Sequence, residues 1–350
     1  VKSERTRVSN NIIRSCPSLA FLPVVALLVP IGQDFYTHPA HAAIEINTNS
    51  LTLNTKTFVN PRLINTLQGH TSTVKSLNFS PNSKFLVSGG SEREGMIRFW
   101  NPQTGKKLGT INRAHQASVD CILISPDGKT LTSCRSDYKI NLWNLKTLEF
   151  SRSFVVHNSS VLSLAVSSDS KVLISGGLDG IRLWDLKQKR PLSRLVPFDN
   201  LIYTLAMSPD GQTLASSDNK GVMKLWNLQT GKLMGQLNAH SQVETGLAFT
   251  PDGATLVSSS RDKTIKIWNV SNGEAVKTLT GHQDWVNAIT INLHDKTLAS
   301  AGQDGIKLWD LTTGELRNIL SAHKDWVSVI AFSPDGKMLA SGSFDQKMNI

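Results

Sequence analysis

Histidine, serine and aspartate recur together through most of this chain, and those three side chains are what a hydrolase uses as base, nucleophile and orienting acid. The recurrence argues against that chemistry. A nucleophile works from one preorganised site with an oxyanion hole, and a series of buried copies adds nothing to a reaction. An imidazole can instead bridge a carboxylate and a hydroxyl while the hydroxyl accepts an indole N–H, which satisfies polar groups that are costly to bury alone. Breaking such a set leaves orphaned partners at about 1–3 kcal/mol, so the residues read as structural and the chain as no enzyme. No Gly-rich phosphate loop, His-Glu-x-x-His pair or cluster of Asp ligands occurs. His38 and His41 fall in an N-terminal leader, and His294 takes the Pro position of a turn. No metal or cofactor is expected. Cys16, Cys121 and Cys134 are too few for a disulfide scaffold and lack zinc spacing. Cys121 and Cys134 flank the turn Ser125–Gly128, and two readings stay open: small buried thiols, or a cross-strand disulfide if the chain is exported to an oxidising space.

The elements that hold these residues repeat with a period of about 42. His recurs at His70, His115, His157, His240, His282 and His323, with Phe198 in the slot of a missing member, and Trp100, Trp143, Trp184, Trp226, Trp268 and Trp309 keep the same clock. Ser-Pro-Asp-Gly at Ser125–Gly128, Ser208–Gly211 and Ser333–Gly336 marks tight turns. Flanking segments such as Val74–Phe79 and Thr264–Trp268 alternate apolar and polar residues with the period of strands. Each unit yields four short strands and no long helical pattern. A small antiparallel sheet cannot bury both faces alone, so the units must stack, and radial closure does this while leaving few edges exposed. The expected fold is all-β: a seven-bladed β-propeller of four-stranded antiparallel blades.

The succession of His, Ser-Pro-Asp-Gly, a Leu-Ala-Ser-Gly-Ser-like strand, Asp and a closing Trp-Asp or Trp-Asn resembles the WD-repeat proteins, from Arg62 to Ile350 and seven times over. The resemblance implies a buried tetrad of His, Ser, Asp and Trp. It is complete at His115/Ser133/Asp137/Trp143, His157/Ser175/Asp179/Trp184, His240/Ser258/Asp262/Trp268 and His282/Ser300/Asp304/Trp309. The first unit has His70, Ser88 and Trp100 but a two-residue expansion through Ser91–Gly95 where the Asp should be. The fourth has Ser216 and Trp226 with Phe198 and Lys220 in the His and Asp slots. Those two blades are expected to be less tightly pinned. Arg62–Leu67 reads as an orphan outer strand, like Lys232–Leu237 and Glu315–Leu320, while the seventh unit has His323, Ser341 and Asp345 and stops one residue before its expected Trp. The N-terminal strand is therefore expected to complete the last blade, and the sequence to be truncated within it.

Ahead of the repeats, residues 1–42 carry Lys2, Arg5, Arg7 and Arg14, an apolar stretch from Leu19 to Ile31, and Ala40 and Ala42 at the positions a signal peptidase reads. The stretch is well short of the roughly 20 residues a spanning helix needs, so a cleaved secretory signal is expected, with an uncleaved anchor as the alternative. Residues 43–61 form a polar linker, and residues 62–350 the propeller. The 350-residue chain is 39% hydrophobic with a formal charge of +10, and cleavage after Ala42 leaves it at +8. Resemblance to exported WD-repeat proteins of bacteria, cyanobacteria in particular, implies a periplasmic or thylakoid-lumen protein, or a cytoplasmic one if the leader does not function.

In this family the third and fifth residues after the His, and the residue before the Asp, project around the channel mouth. Those slots hold Lys75, Asp120, Leu162, Leu178, Leu201, Tyr203, Arg261, Trp285, Trp326 and Phe344. Exposed aromatic side chains beside an Arg are the makings of a binding hot spot. The reading that follows is a non-catalytic, monomeric ring that binds a protein or peptide through this face. An enzyme or ligand binder using the central channel is the alternative, but the rim offers only Asp120 as a carboxylate, too few for a metal. Nucleic-acid binding comes third, since Lys75 and Arg261 alone do not make a basic face.

Overall fold

The computed structural model describes residues 60–91, 94–116, 118–135, 137–155, 157–194 and 201–350. The leader, nearly all of the linker and Phe198 lie outside these. A short strand β1 (Thr66–Leu67) precedes six complete blades. Blade one is β2 (Val74–Phe79), β3 (Leu86–Gly90), β4 (Ile97–Trp100) and β5 (Lys107–Ile111); blade two is β6 (Cys121–Ile124), β7 (Thr130–Cys134), β8 (Lys139–Asn144) and β9 (Phe150–Val155). Blade three is β10 (Val161–Val166), β11 (Val172–Gly177), β12 (Gly180–Asp185) and β13 (Arg190–Arg194); blade four is β14 (Ile202–Met207), β15 (Thr213–Asp218), β16 (Val222–Asn227) and β17 (Leu233–Asn238). Blade five is β18 (Glu244–Phe249), β19 (Thr255–Ser260), β20 (Ile265–Asn269) and β21 (Ala275–Leu279); blade six is β22 (Val286–Ile291), β23 (Thr297–Gly302), β24 (Gly305–Asp310) and β25 (Leu316–Leu320). Blade seven has β26 (Val327–Phe332), β27 (Leu339–Ser343) and β28 (Met348–Asn349), and its fourth strand is β1, with Thr66 opposite Asn349 and Leu67 opposite Met348.

Local chemistry explains the hairpins. In the Ser-Pro-Asp-Gly turn of blade two, Ser125 Oγ donates to Asp127 Oδ1 at 2.6 Å and accepts the Thr130 N–H at 3.0 Å. Asp127 Oδ1 also accepts the Lys129 N–H, and Gly128 takes a φ of 69°, where a Cβ would be strained. Ser208/Asp210 and Ser333/Asp335 repeat the arrangement. Cys121 and Cys134 are register partners on β6 and β7, with Cα atoms 5.1 Å apart, and form a disulfide.

The apolar side chains do not gather in one core. They form a cluster at each seam between neighbouring blades, and the seam of blades seven and one has its own: Leu77, Phe79, Leu86 and Trp100 pack with Met338, Ala340, Met348 and Leu67. The same pattern recurs at the other six seams, where the tryptophan of each later blade from two to six packs toward the blade before it. Each sheet buries one face on each neighbour, so the ring is closed.

Candidate functional site

The tetrads occupy the seams. In blade three His157 Nε2 meets Ser175 Oγ at 2.7 Å, Nδ1 meets Asp179 at 2.5 Å, and Trp184 Nε1 donates to Ser175 Oγ at 2.9 Å. Blades five and six repeat this at His240/Ser258/Asp262/Trp268 and His282/Ser300/Asp304/Trp309. Blade two is looser: His115 and Trp143 reach Ser133, but Asp137 lies 3.6 Å from His115 Nδ1, which has no hydrogen-bond partner among the described residues. The serines are sealed, with Ser88, Ser133, Ser175, Ser258 and Ser300 all at 0% exposure.

Blade one differs from the sequence expectation. Glu94 fills the acid slot across the expanded turn, accepting from His70 Nδ1 at 2.6 Å, from Thr71 Oγ1 at 2.7 Å and from the Thr71 N–H, so this blade is fully pinned. The longer side chain and the longer turn compensate each other. Blade four keeps Trp226 Nε1 donating to Ser216 at 2.8 Å, while Lys220 is exposed and takes no part.

A basic residue two positions before the Trp, which the sequence reading passed over, extends several of these sets. Arg98 pairs with Glu94 and Arg182 with Asp179, each at 2.7 Å, and Lys307 pairs with Asp304. The signal was the recurrence of Arg98, Arg182, Lys224, Lys266 and Lys307 at one offset. Burial works against ionisation of Asp179, yet hydrogen bonds from His157 and Arg182 outweigh it and hold its pKa down to about 2. Asp304 is likewise held to about 2 against burial by Lys307, the Gln283 N–H and His282. Burial lowers the pKa of His70, His240 and His282. Neutral imidazoles thus donate to ionised acids.

The second grouping lies at one end of the blades, where the turn between the second and third strands meets the entry to the first. Each inner strand but β6 begins with a register shift, and the residue it leaves out of the ladder is Lys75, Leu162, Tyr203, Thr245, Asn287 or Ser328. A bulge of this kind aims a side chain away from the sheet. The turn closes on the same point: the N–H groups of Leu178, Arg261 and Phe344 donate to the carbonyls of Ser160, Val243 and Trp326.

Four of the ten candidate residues form one continuous run. The Arg261 guanidinium lies 4.5 Å from the centroid of the Trp285 ring. Trp326 stands edge-on to Trp285 at 5.4 Å and 89°, and Phe344, 43% exposed, lies 6.2 Å from Trp326. Residues absent from the sequence reading border these rings: Asp284 and Asp325 accept the backbone N–H groups of the tryptophans that follow them, at 2.8 and 2.7 Å. Gln303, with its amide oriented to suit both neighbours, accepts the Trp326 indole N–H at 3.1 Å and donates to Asp284. The repeated Asp-Trp-Val of blades six and seven was the available signal. Elsewhere on the rim Lys75 is exposed, Asp120 accepts from Ser118 at 3.2 Å, and Leu162, Leu178, Leu201 and Tyr203 are half-buried. Among the described residues Tyr203 makes no ring contact with the tryptophans.

An apolar groove of about 700 Å³ lies at the seam of blades six and seven, against Ile306, Ile319, Met338, Leu339 and Ile350; its lining holds no carboxylate, cysteine or histidine. Among the described residues no three His, Cys, Asp or Glu side chains converge as a metal site.

The fold and its seam tetrads define a closed propeller built of seven copies of one repeat. The WD domain, G-beta repeat family model matches residues 61–101, 105–144, 148–185, 190–227, 231–269, 273–310 and 314–350, and the chain belongs to that family. It is 30% identical over 166 residues to apoptotic protease-activating factor 1 of Rattus norvegicus, covering 47% of this chain and 13% of that protein. It is 31% identical over 143 residues to Protein groucho of Drosophila melanogaster, covering 41% of this chain and 19% of that protein. The chain thus matches less than a fifth of the length of either relative.

Proposed function

We propose that the chain is a non-catalytic scaffold that binds a protein or peptide on the rim formed by blades five to seven. The observation that carries this reading is the run Arg261, Trp285, Trp326 and Phe344, with Gln303 accepting the Trp326 indole N–H. Large rings held rigid before association lose little entropy on docking, and Trp and Arg dominate measured interface energetics. The sealed tetrad serines support the absence of hydrolysis, because no substrate reaches a hydroxyl at 0% exposure. WD propellers as a class act through protein partners, which agrees with this reading. The basic and apolar character of residues 1–42 supports an extracytoplasmic location in this proposal, and N-terminal sequencing that finds those residues retained on the protein in a cytoplasmic fraction would refute that part.

The test compares the ring with its Trp285→Ala/Trp326→Ala variant in affinity capture from the extracytoplasmic fraction. Each truncation at a hot spot costs about 2 kcal/mol or more, roughly thirtyfold in Kd. A partner held by the parent and lost by the variant, with equal melting of the two, is the expected outcome. Equal capture by both moves the binding site to another face.

A further inference from the structure

Arg261 differs from the arginines paired in the seams in having no acid. Arg98, Arg182, Lys307 and Arg317 each pair with a carboxylate, at Glu94, Asp179, Asp304 and Asp310. Arg261 has no ion pair among the described residues; its guanidinium rests on the Trp285 ring, and its Nε is covered without an acceptor. A guanidinium over an aromatic ring and without an acid partner matches a carboxylate.

Three carboxylates of the same sector are already engaged, while Glu244, fully buried at the start of β18, has no hydrogen-bond partner among the described residues. Asp262 accepts from His240, from the Ser241 N–H and from Thr264. Asp218 accepts the N–H groups of Lys220 and Val222, and Asp284 those of Trp285 and the Gln303 amide. Two more cations lie in the corresponding turns of blades four and five. Lys220 is exposed on blade four, and Lys263 lays its ammonium on the Gln283 carbonyl at 2.9 Å. The run thus has a guanidinium at its blade-five end and aromatic rings toward its blade-seven end.

We infer that the partner segment presents an Asp or Glu carboxylate to Arg261 and, two or three residues away, an apolar side chain to Trp326 and Phe344. This rests on the proposal that the aromatic rim is the docking face. An extended chain advances about 3.3 Å per residue, so three residues cover the steps of 4.5 and 5.4 Å from the guanidinium through Trp285 to Trp326, and the apolar side chain there sits against Phe344, 6.2 Å from Trp326. An acidic peptide fits better than a nucleic acid, since one guanidinium with two outlying lysines is not a track for successive phosphates.

The experiment uses the full chain and labelled short peptides with a fixed acid followed two or three residues later by Phe, beside matched sets in which Asn or Gln, or Lys, replaces the acid. The acidic set is expected to bind about tenfold more tightly than the amide set. Arg261→Gln should erase that difference, Arg261→Lys should restore part of it, and Arg261→Glu should shift the preference to the Lys set, with unchanged melting of at least the first two. Equal binding of acidic and amide sets that still requires Trp285 and Trp326 overturns the carboxylate assignment and leaves the docking face standing. Binding of none of the sets, or binding indifferent to the Trp pair, removes both, and tight binding of oligothymidylate lost in Arg261→Gln assigns the sector to nucleic acid instead.

Discussion

At the scale of single residues, the ring carries one side chain that works against it. Glu244 opens β18 and is fully buried, at a position where the other blades carry Val74, Val119, Val161, Ile202, Val286 or Val327. Neither carboxylate oxygen has a hydrogen-bond partner among the described residues. Burial pushes its pKa up from 4.5 to about 8; Asp218 and Asp262 add to the rise, and Ser217 and Lys266 offset only part of it. Below the unfolded value of 4.5 both states hold the proton and the ionisation-linked part of the penalty is absent. As pH rises from there toward 8 the unfolded chain ionises while the folded chain keeps its proton, so stability falls across that window, by an amount on the order of a few kcal/mol. Asp179 and Asp304 act in the opposite sense: with folded values near 2 against 3.8 they stabilise at neutral pH, and that contribution is lost as pH falls through 2. Glu244→Val should therefore raise the urea midpoint strongly at pH 8 and little at pH 4. A gain of equal size at both values would show that packing, and not the proton, sets the penalty.

At the scale of elements, the disulfide joins the two strands at the edge of blade two facing the channel, with a sequence separation of 13. Closing a loop of that length stabilises by about 3 kcal/mol, in the chain-entropy account. Unfolded, unreduced protein beginning at Ala43 is expected to show no free thiol, and reduction to lower its melting temperature; two thiols titrating before reduction would refute the bond. This pair was readable from the sequence as strand neighbours, because the turn between them is fixed by its own side chains, whereas its oxidation state depends on the surroundings. The same division holds along the chain. Strands, turns and tetrad spacings are local hydrogen-bond geometry, so they recur as legible letters. Glu94 was hidden because its greater reach displaces the acid from its expected offset, and Lys220 stands in the expected offset without contributing. The rim positions were legible as a shared face through the resemblance. That Arg261 stacks on Trp285, and Trp285 on Trp326, follows from the angle between neighbouring blades, which no run of sequence contains. Asp284 and Asp325 were missed because each acts on the residue next to it, a contact with no periodic signature in the other blades.

At the scale of the whole molecule, closure turns seven weakly self-sufficient sheets into one body. Each blade buries its two faces only on neighbours, so an open array would leave apolar surface at both ends. The clasp prevents this by lending β1 to blade seven. Besides the pairing with β28, the Ile64 N–H donates to the Ile350 carbonyl at 2.7 Å and the Ile350 N–H to the Asn65 carbonyl at 3.0 Å. Asn65 Nδ2 reaches across to the carbonyls of Pro102 and Gln103 in blade one, at 2.8 and 2.9 Å, and Leu67, 2% exposed, belongs to the cluster at that same seam. One short strand thus ties the last blade to the first by hydrogen bonds, side-chain amide and apolar packing together. Leu67→Ala is expected to cost about 2–5 kcal/mol by leaving a cavity in the seam, and Asn65→Ala to cost less, since the two carbonyls it serves lie at a solvent-facing turn. Removing Arg62–Leu67 altogether should cost more than both combined, because it strips β28 of its partner as well. Denaturant melts of the three variants check the order. If the deletion melts with the parent, the seam of blades seven and one holds without its clasp, and closure must then come from the inner strands alone, where Ser328 Oγ donates to the Val74 carbonyl across that junction at 2.5 Å.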